Sequence, residues 1–336
     1  MDPIADVRGI SKIAYGFIAS RALFAALDLD LFSRLSGQPK TLAALSEETR
    51  VPETLLLPFL TTLVSVGLLV KDEARYSNAP ASESYLVRGA TRDFGDYLRL
   101  VVGKVNYSYA SELEKALRGD RKPSAAGYYT SWYSSPEDAE QFTSAQHRGS
   151  LGPAAVLARQ IELGGRRQLL DVGGGSGAFT IALCRRNPDL TATILDFPET
   201  VAVARRFVTE AGLQGRVRHL AGNALHVDWP GAQDAILMSY VWSAVGRSDV
   251  EELARRAYTA LRSGGTVLIH DFMADDDLRG PSNAAFHLLL SALDTQEMAL
   301  LTPSLVRERL ARVGFTGTTA STLLPGITSL VIGHKA

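Results

Sequence analysis

The chain has 336 residues, 46% of them hydrophobic and 21% charged, and a formal net charge of -1 at pH 7. This balance is typical of a globular protein with enough residues for two domains, and it disfavours a partner such as nucleic acid. The single cysteine, Cys184, excludes an internal disulfide framework and a paired-cysteine metal knuckle. The start is acidic and lacks the pattern of a signal peptide, and no apolar run reaches about 18 residues, so we expect a cytoplasmic protein without membrane contact.

Residues 1–100 are predicted to form a small, mostly helical domain. Apolar residues recur at helical spacing, Thr41 is a candidate helix cap, and a break falls at Val51–Pro52. The stretch GLLVKDEARYSNAP predicts a β-hairpin that turns at Lys71–Glu73. Helix, turn, helix and hairpin is the outline of a winged helix, but the second helix, PETLLLPFLTTLVSVG, carries no Lys or Arg and is unsuited to DNA. We therefore predict a winged-helix dimerisation domain.

Residues 101–155 are predicted to form a helical connector that lines the substrate pocket. The segment is dense in aromatic residues, most of which suit packing and a few of which suit a pocket for a planar ligand. The aromatic residues are Tyr107, Tyr109, Tyr128, Tyr129, Trp132, Tyr133 and Phe142.

From residue 156 to residue 336, predicted strands alternate with predicted helices. Such alternation is typical of an α/β fold with a doubly wound, Rossmann-like sheet and right-handed crossovers. The predicted strands are RQLLDV, TATILDF, RVRHLAGNA, DAILMSYVW, GGTVLIHDFM and SLVIGHKA.

The stretch QLLDVGGGSGAFTIAL predicts a strand that passes through a glycine turn into a helix. Gly173, Gly175 and Ala178 fit the GxGxxG/A fingerprint of nucleotide-binding turns. Asp171 ends the strand, where a carboxylate suits a cationic ligand better than it suits a pyrophosphate. Dense glycine also lets the backbone approach an adenosine closely. Together these features predict a site for S-adenosylmethionine.

Two further residues follow the next strands. Asp196 ends the second strand, about 20 residues after the glycines, where a carboxylate accepts hydrogen bonds from ribose hydroxyls in S-adenosylmethionine and dinucleotide sites alike. Asn223 follows the third strand and is suited either to an adenine edge or to a turn.

Four motifs, LLDVGGGSGAFTIAL, ILDFPETV, AGNAL and LRSGGTVLIHDF, follow the apolar N-terminal module in this order. The combination resembles the two-domain S-adenosylmethionine-dependent small-molecule methyltransferases, which include plant caffeate-type and bacterial natural-product O-methyltransferases. The resemblance covers nearly the whole chain. It implies a homodimer whose N-terminal modules interlock, S-adenosylmethionine as methyl donor at the carboxyl ends of the strands, and a small-molecule acceptor.

The resemblance also implies which residues contact the cofactor. Asn223 departs from the usual Asp at its position, although its carbonyl oxygen can still accept a hydrogen bond. The implied contacts are Gly173 and Gly175 at the turn, Asp196 at the ribose, Asn223 and Ala224 at the adenine, and Ser150 and Ser239 near the methionine part.

The family normally has a His-Asp-Trp triplet after the fourth strand, and its histidine is the general base. Counting back from LRSGG without a gap places Ser243, Ala244 and Val245 at these positions. Serine is not basic at neutral pH and alanine cannot orient a base, so standard imidazole-driven O-methylation is not expected. We predict methylation at carbon or nitrogen of an aromatic or conjugated molecule in secondary-metabolite or pigment biosynthesis, because such nucleophiles need little base before attack.

This catalytic segment resembles that of C-methylating family members such as bacteriochlorophyllide C-20 methyltransferase. The resemblance places His287, in NAAFHLLLSAL, as a candidate base or substrate-orienting residue, and the alternative is a core histidine. His270 and Asp271 end the fifth strand, where a structural or cofactor-lining role fits better than a catalytic one. Glu297 is a further candidate for assisting a base.

The acceptor pocket is predicted to be mostly apolar, and no metal site is predicted. Two alternatives stay open: an O-methyltransferase with its base relocated to His287 or His270, and a protein that binds S-adenosylmethionine without transferring the methyl group. The candidate acceptor-binding residues are Trp242, Ser243, Phe286 and Met298.

Overall fold

The protein is represented by a computed structural model, which describes residues 3–120, 135–294 and 298–336. Internal contacts divide the chain into two compact units, Met1–Ser108 and Tyr109–Ala336. The domain limits expected at residues 100 and 155 stay predictions.

The first unit is mostly helical, as the apolar spacing of its sequence predicts. A three-stranded antiparallel sheet, with the strand order β1-β3-β2, completes it. Its main elements are α1 (Val7–Asp28), α2 (Leu31–Leu35), β1 (Lys40–Thr41), α3 (Leu42–Thr49), α4 (Glu53–Ser65), β2 (Leu69–Asp72), β3 (Arg75–Asn78), α5 (Pro80–Tyr85) and a π-helical segment (Tyr97–Asn106).

Local sequence signals account for these elements. The Thr41 hydroxyl accepts a hydrogen bond from the Ala44 N–H at 3.3 Å and so caps α3. The hairpin of β2 and β3 forms where the sequence predicted it, and Glu73 in its turn has a φ of 47°. Leucines of α3 and α4, including Leu45 and Leu60, are fully buried in the core of this unit. The order of helix, turn, helix and hairpin is the one expected for a winged helix.

The second unit is an α/β domain around a seven-stranded sheet with the strand order β6-β5-β4-β7-β8-β10-β9. Strands β4 to β8 pair in parallel, and β10 pairs antiparallel with β8 and β9. Its main elements are α6 (Tyr107–Ala110), which straddles the division, α7 (Leu113–Leu117), α8 (Pro136–Gln160), β4 (Gln168–Val172), α9 (Ala178–Arg186), β5 (Thr191–Asp196), α10 (Pro198–Glu210), β6 (Val217–Ala221), β7 (Gln233–Ser239), a 3-10 turn (Trp242–Ala244), α11 (Arg247–Ala260), β8 (Leu261–Asp271), α12 (Ser282–Asp294), α13 (Pro303–Val313), β9 (Thr316–Leu324) and β10 (Thr328–His334).

Both faces of the sheet are covered, and the central strands are accordingly apolar. In β7, Ala235 and Leu237 join the core cluster that includes residues of α8 and α9, while Ile236 and Met238 join the cluster that includes residues of α11 and α13. This alternation follows from the two-residue period of a strand. Cys184 is fully buried in the first cluster.

The sequence analysis missed strand β9. Its sequence, TGTTASTLL, lacks the apolar alternation of a half-buried strand, and most of its residues are exposed. The strand forms because it lies at the edge of the sheet and pairs with β10. Pairing, rather than burial of its own side chains, therefore determines its structure.

Candidate cofactor and acceptor site

The glycine turn lies at the carboxyl end of β4, in the middle of the parallel strands. Gly173 has a φ of +64°, and a Cβ atom there would lie 2.7 Å from Cγ2 of Val241. A Cβ atom at Gly174 would lie 2.8 Å from Cγ of Asp171. The turn therefore requires glycine both for its backbone conformation and for the close approach of its neighbours.

Asp171 lies beneath this turn. Its Oδ2 accepts a hydrogen bond from the Thr180 hydroxyl at 2.6 Å, and its Oδ1 is buried without a hydrogen-bond partner among the described residues. Burial, together with the nearby charge of Asp196, raises the pKa of Asp171 to about 7. Asp171 is therefore only partly charged at neutral pH.

Asp196 connects the turn to the end of β5. Its Oδ2 accepts a hydrogen bond from the Gly175 N–H at 2.7 Å, and its Oδ1 accepts one from the Phe197 N–H at 2.7 Å. Burial raises the pKa of Asp196 above its usual value. Each carboxylate oxygen has a second lone pair, which remains available for a ribose hydroxyl.

Asp171 is buried and Asp196 is half-buried, and the two carboxylates together form a site of partial negative charge. Among the described residues, no Lys or Arg forms an ion pair with Asp171 or Asp196, although buried carboxylates are normally paired. A nucleoside that carries a sulfonium fits this arrangement because it supplies the missing positive charge. A pyrophosphate would add negative charge to it. The residues present therefore fit S-adenosylmethionine.

The residues expected at the adenine lie in the turn after β6. The Oδ1 atom of Asn223 accepts a hydrogen bond from the Leu225 N–H at 2.9 Å, so the side chain stabilises its own turn. The carbonyl oxygen of Ala224 accepts a hydrogen bond from the Trp229 indole N–H at 2.9 Å. The turn interpretation of Asn223 therefore holds, and its amide nitrogen is the group left for an adenine.

Ser239 ends β7, where its hydroxyl lies 2.8 Å from Nδ1 of His270. The other ring nitrogen of His270 lies 2.9 Å from the Thr328 hydroxyl. His270 is fully buried, and burial lowers its pKa to about 3. With both nitrogens engaged and the ring neutral, His270 is a structural residue rather than a relocated base. Ser150, the other residue expected near the methionine part, is half-buried in α8.

The residues at the positions of the missing histidine and aspartate form a 3-10 turn held by Asp271. The carboxylate of Asp271 accepts hydrogen bonds from the backbone N–H groups of Ser243 at 3.1 Å and of Phe272 at 2.8 Å. Burial raises the pKa of Asp271 to about 6. Ser243 is 8% exposed, so its side chain borders the site without protruding into it.

Trp242 requires a correction. The sequence analysis expected it to bind the acceptor, but its side chain is fully buried, and its indole N–H donates a hydrogen bond to Sδ of Met238 at 3.4 Å. The indole packs among apolar residues beneath the sheet, because the 3-10 turn directs it inward. Trp242 therefore supports the turn and does not line a pocket.

Helix α12 brings His287 to this region by contacting the 3-10 turn. The His287 ring stacks on Phe272 with ring centroids 3.5 Å apart and an interplanar angle of 11°. Burial lowers the pKa of His287 to about 4, and its nitrogens make no hydrogen bond to a described residue. Met298 pairs with Gly246 in an antiparallel bridge just after the turn, whereas Phe286 is 60% exposed.

Tyr240 and Phe272 were missed as candidates by the sequence analysis. Tyr240 has a φ of +59° and its ring lies 4.8 Å from that of Phe272 at an interplanar angle of 33°, so it lies tilted beside the stacked pair of Phe272 and His287. A non-glycine residue held at positive φ is uncommon and concentrates at functional sites. Their positions in the sequence could have identified both residues, because each directly follows the last residue of a strand of the parallel sheet.

Two predictions remain to be placed, one on metals and one on five residues that the structure does not describe. Among residues 3–120, 135–294 and 298–336, no group of three or more His, Cys, Asp or Glu could hold a metal ion. The candidates outside the described residues are Tyr128, Tyr129, Trp132, Tyr133 and Glu297.

Fold and site together define a Rossmann-like methyltransferase, and comparison with known proteins agrees. A family model for the O-methyltransferase domain matches residues 111–311, and one for the O-methyltransferase dimerisation domain matches residues 11–88. The chain belongs to this O-methyltransferase family and is an S-adenosylmethionine-dependent methyltransferase.

Relatives in this family methylate different atoms. The tetracenomycin polyketide synthesis 8-O-methyltransferase of Streptomyces glaucescens is 31% identical over 100% of this chain and 99% of its own length. An N,N-dimethyltransferase of Streptomyces rimosus is 30% identical over 87% of this chain and 84% of its own. The bacteriochlorophyllide d C-20 methyltransferase of Chlorobaculum tepidum is 26% identical over 82% and 80%.

Solved structures share the fold of both units. The structure of human N-acetylserotonin methyltransferase in complex with S-adenosylmethionine has a TM-score of 0.88, with 23% sequence identity and complete coverage of both chains.

Proposed function

We propose that this enzyme methylates a carbon or a nitrogen of an aromatic or extended conjugated small molecule in secondary metabolism. The observation that carries the proposal is the 3-10 turn, where Ser243 and Ala244 occupy the positions of the family's His-Asp pair. Neither side chain removes a proton from a hydroxyl at neutral pH. Nucleophiles that attack before they lose a proton are therefore the best match to the site.

The chain's own contribution to such a reaction is electrostatic and geometric. The cofactor supplies an electrophilic methyl group on a sulfonium. Asp171 and Asp196 would balance that charge, while the glycine turn fixes the nucleoside beneath the ends of β4 and β5. Holding two reactants in line contributes up to roughly 7–11 kcal/mol to lowering a barrier, which suits a site without a strong base.

We propose that the cofactor contacts are those expected from the sequence. Asp171 acts from beneath the turn, and Asn223 acts through its amide nitrogen. The proposed contacts are Ser150, Gly173, Gly175, Asp196, Asn223, Ala224 and Ser239.

The stacked rings of Phe272 and His287, with Tyr240 tilted beside them, support a flat acceptor. The rings lie at the carboxyl ends of β7 and β8, and a planar molecule gains contact area by stacking beside them. Ser243, Phe286 and Met298 are the proposed neighbours of the acceptor. The names of the tetracenomycin and bacteriochlorophyllide relatives refer to conjugated ring systems, in agreement with this class.

His287 is the proposed proton acceptor. A neutral imidazole with a pKa of about 4 is a weak base, too weak to ionise a phenol. An aromatic ring that has just received a methyl group on carbon carries a delocalised positive charge, and the hydrogen on the methylated carbon is strongly acidic, so a weak base is sufficient to remove it. A weak base is thus sufficient for the acidic intermediate of C-methylation. If His287 removes the proton, carbon is favoured as the methylated atom.

O-methylation is the second candidate, favoured by the full-length match to the tetracenomycin 8-O-methyltransferase. It needs a base other than Ser243. Because both nitrogens of His270 are engaged, His287 would have to act as the relocated base, and its low pKa counts against this alternative.

Methyl-labelled S-adenosylmethionine and a panel of phenols, arylamines and electron-rich aromatic carbons test the proposal. We expect label on carbon or nitrogen, and label found only on oxygen would contradict it. The His287→Ala variant should reduce kcat with a C-nucleophile by about 100-fold, as expected for loss of a general base. The matched control is His334→Ala, which removes a histidine at the far end of β10 and should retain full kcat.

A further inference from the structure

A histidine of helix α8 contacts the cofactor turn directly. Nδ1 of His147 lies 2.8 Å from the hydroxyl oxygen of Ser176, which is buried within the turn sequence GGGSG. The His147 ring also stacks on Phe207 of α10, with ring centroids 3.8 Å apart and an interplanar angle of 11°. One imidazole therefore joins the long helix, the glycine turn and a third helix.

A second contact fixes the same face of α8 one helical turn earlier. The Arg206 guanidinium donates a hydrogen bond to the Ser144 hydroxyl at 3.0 Å and forms an ion pair with Glu140. The same guanidinium lies 4.3 Å from the centre of the Phe207 ring. Residues three and four apart share a helix face, so Glu140, Ser144 and His147 hold one face of α8 against α10.

The charge state of His147 suits this role. Burial, and then the charges of Arg148, Arg206 and Arg185, lower its pKa to about 4. The ring is therefore neutral at physiological pH and offers one donor and one acceptor nitrogen. A hydroxyl pairs with either, so the contact with Ser176 is satisfied without placing a further cation in an arginine-rich region.

Ser176 lies between the two residues that fix the turn. Gly175 donates its N–H to Asp196, and Gly177 has a φ of +81° and precedes the first residue of α9. On the helix side, Ser150 follows His147 by three residues and lies on the same face of α8. The His147–Ser176 contact thus connects the proposed ribose ligand with the proposed ligand of the methionine part.

We propose that His147 is a positioning residue for the cofactor: through Ser176 it holds the glycine turn in register with helix α8. Cofactor affinity then depends on a helix that precedes the sheet, as well as on the turn itself. The proposal rests on the placement of S-adenosylmethionine at the glycine turn.

Binding of S-adenosylhomocysteine, measured by calorimetry without an acceptor, tests the proposal. His147→Phe keeps the stacking on Phe207 and removes the hydrogen bond, while Ser176→Ala removes its partner. Each should raise Kd by about 5- to 10-fold, the effect of one lost buried hydrogen bond. The double variant should bind no more weakly than either single variant, because both remove the same contact.

Kinetics and a conservative variant add readouts that a purely structural role would not give. His147→Phe should raise KM for S-adenosylmethionine with kcat at saturation unchanged, and His147→Asn should recover part of the affinity. His334, in β10, is a matched control. Its Nδ1 also lies near a hydroxyl, 3.2 Å from that of Thr266 in β8. His334→Phe should leave Kd unchanged.

Two outcomes would overturn the proposal. One is an unchanged Kd in His147→Phe with a lowered melting temperature, which would make His147 a packing residue. The other is additive effects in the double variant. Failure of the wild-type protein to bind S-adenosylhomocysteine would instead remove the cofactor assignment itself, and the two failures are therefore distinguishable.

Discussion

In the proposed function, Ser243 and Ala244 in place of a His-Asp pair change the chemistry available to an otherwise complete site. The 3-10 turn is intact, Asp271 holds its backbone, and helix α12 contacts it. What the site lacks is a basic side chain at the end of β7. The geometry for methyl transfer is therefore separable from proton removal.

Restoring the missing pair should therefore add O-methylation. We expect the double variant Ser243→His with Ala244→Asp to methylate a phenol at least about tenfold faster than the wild-type protein, a gain smaller than the roughly 100- to 10,000-fold of an optimised general base. The single variant Ala244→Asp is the control, since it adds the orienting carboxylate without a base. Equal phenol rates in all three proteins would show that the turn does not determine which atom is methylated.

The raised pKa of Asp171 leads to a second prediction at the scale of single residues. Burial raises it to about 7, so Asp171 is mostly neutral at pH 6 and mostly charged at pH 8. A cationic ligand prefers the charged form, so affinity for S-adenosylmethionine should rise by about tenfold from pH 6 to pH 8, the change in the charged fraction. S-adenosylhomocysteine lacks the sulfonium and should change less.

Calorimetry with both ligands at several pH values measures this difference, since groups that the ligands share cancel in the comparison. Asp171→Asn should abolish it. The same pH dependence for both ligands in the wild-type protein would mean that Asp171 does not act on the sulfonium.

At the scale of elements, the glycine turn joins β4 to α9 in a left-handed conformation that strains any residue other than glycine. Gly173→Ala should abolish cofactor binding and lower the free energy of unfolding by more than about 1 kcal/mol, because it combines a strained φ with a Cβ that lies 2.7 Å from Val241. Gly212→Ala is the matched control. Gly212 has a φ of +71° and nothing within 4 Å of an added Cβ, so alanine at this position introduces backbone strain without a steric clash.

Chemical denaturation and calorimetry compare the two glycine variants. Equal losses of stability and retained cofactor binding in both would refute the steric role assigned to Gly173.

Elements with a strong local pattern were predictable from the sequence. The hairpin around Lys71–Glu73, the cap at Thr41 and the parallel strands all form as expected. Strand β9 was not predictable, because its polar side chains face solvent and only its partner β10 determines it. In the same way, no sequence pattern distinguishes the buried Trp242 from a pocket residue, since the direction of its side chain depends on the 3-10 turn.

Individual contacts in the site could not be predicted from the sequence either, because most of them depend on residues that are distant in the chain. His270 had two interpretations from sequence, and hydrogen bonds to both ring nitrogens favour the structural one, while the hydrogen bond of Asn223 shows its part in the turn. The contact between His147 and Ser176 spans 29 residues, and no local pattern encodes it.

At the scale of the whole molecule, α1 exposes a large apolar surface. Among the described residues, α1 alone is long and apolar enough to cross a membrane, by length and composition only. Ile13 is 72% exposed and Phe17 is 54% exposed, one helical turn apart, and both lie within the match to the dimerisation domain. A second copy of the chain is therefore the expected cover for this surface.

The double variant Ile13→Asp with Phe17→Asp should shift the protein from dimer to monomer, as measured by analytical ultracentrifugation. Leu278→Asp is the control, since Leu278 is 60% exposed in the second unit and outside that match. A dimer that survives the double variant would place the interface elsewhere.

If Asp171 and Asp196 act on the sulfonium as proposed, their charges have a consequence for the catalytic cycle. Methyl transfer converts the donor from a cation to a neutral thioether, while Asp171 and Asp196 stay in place. The spent donor therefore loses an attraction that the fresh donor has. Charge therefore favours the replacement of S-adenosylhomocysteine by S-adenosylmethionine. The enzyme should be less prone to product inhibition than an enzyme that binds both ligands through the adenosine alone.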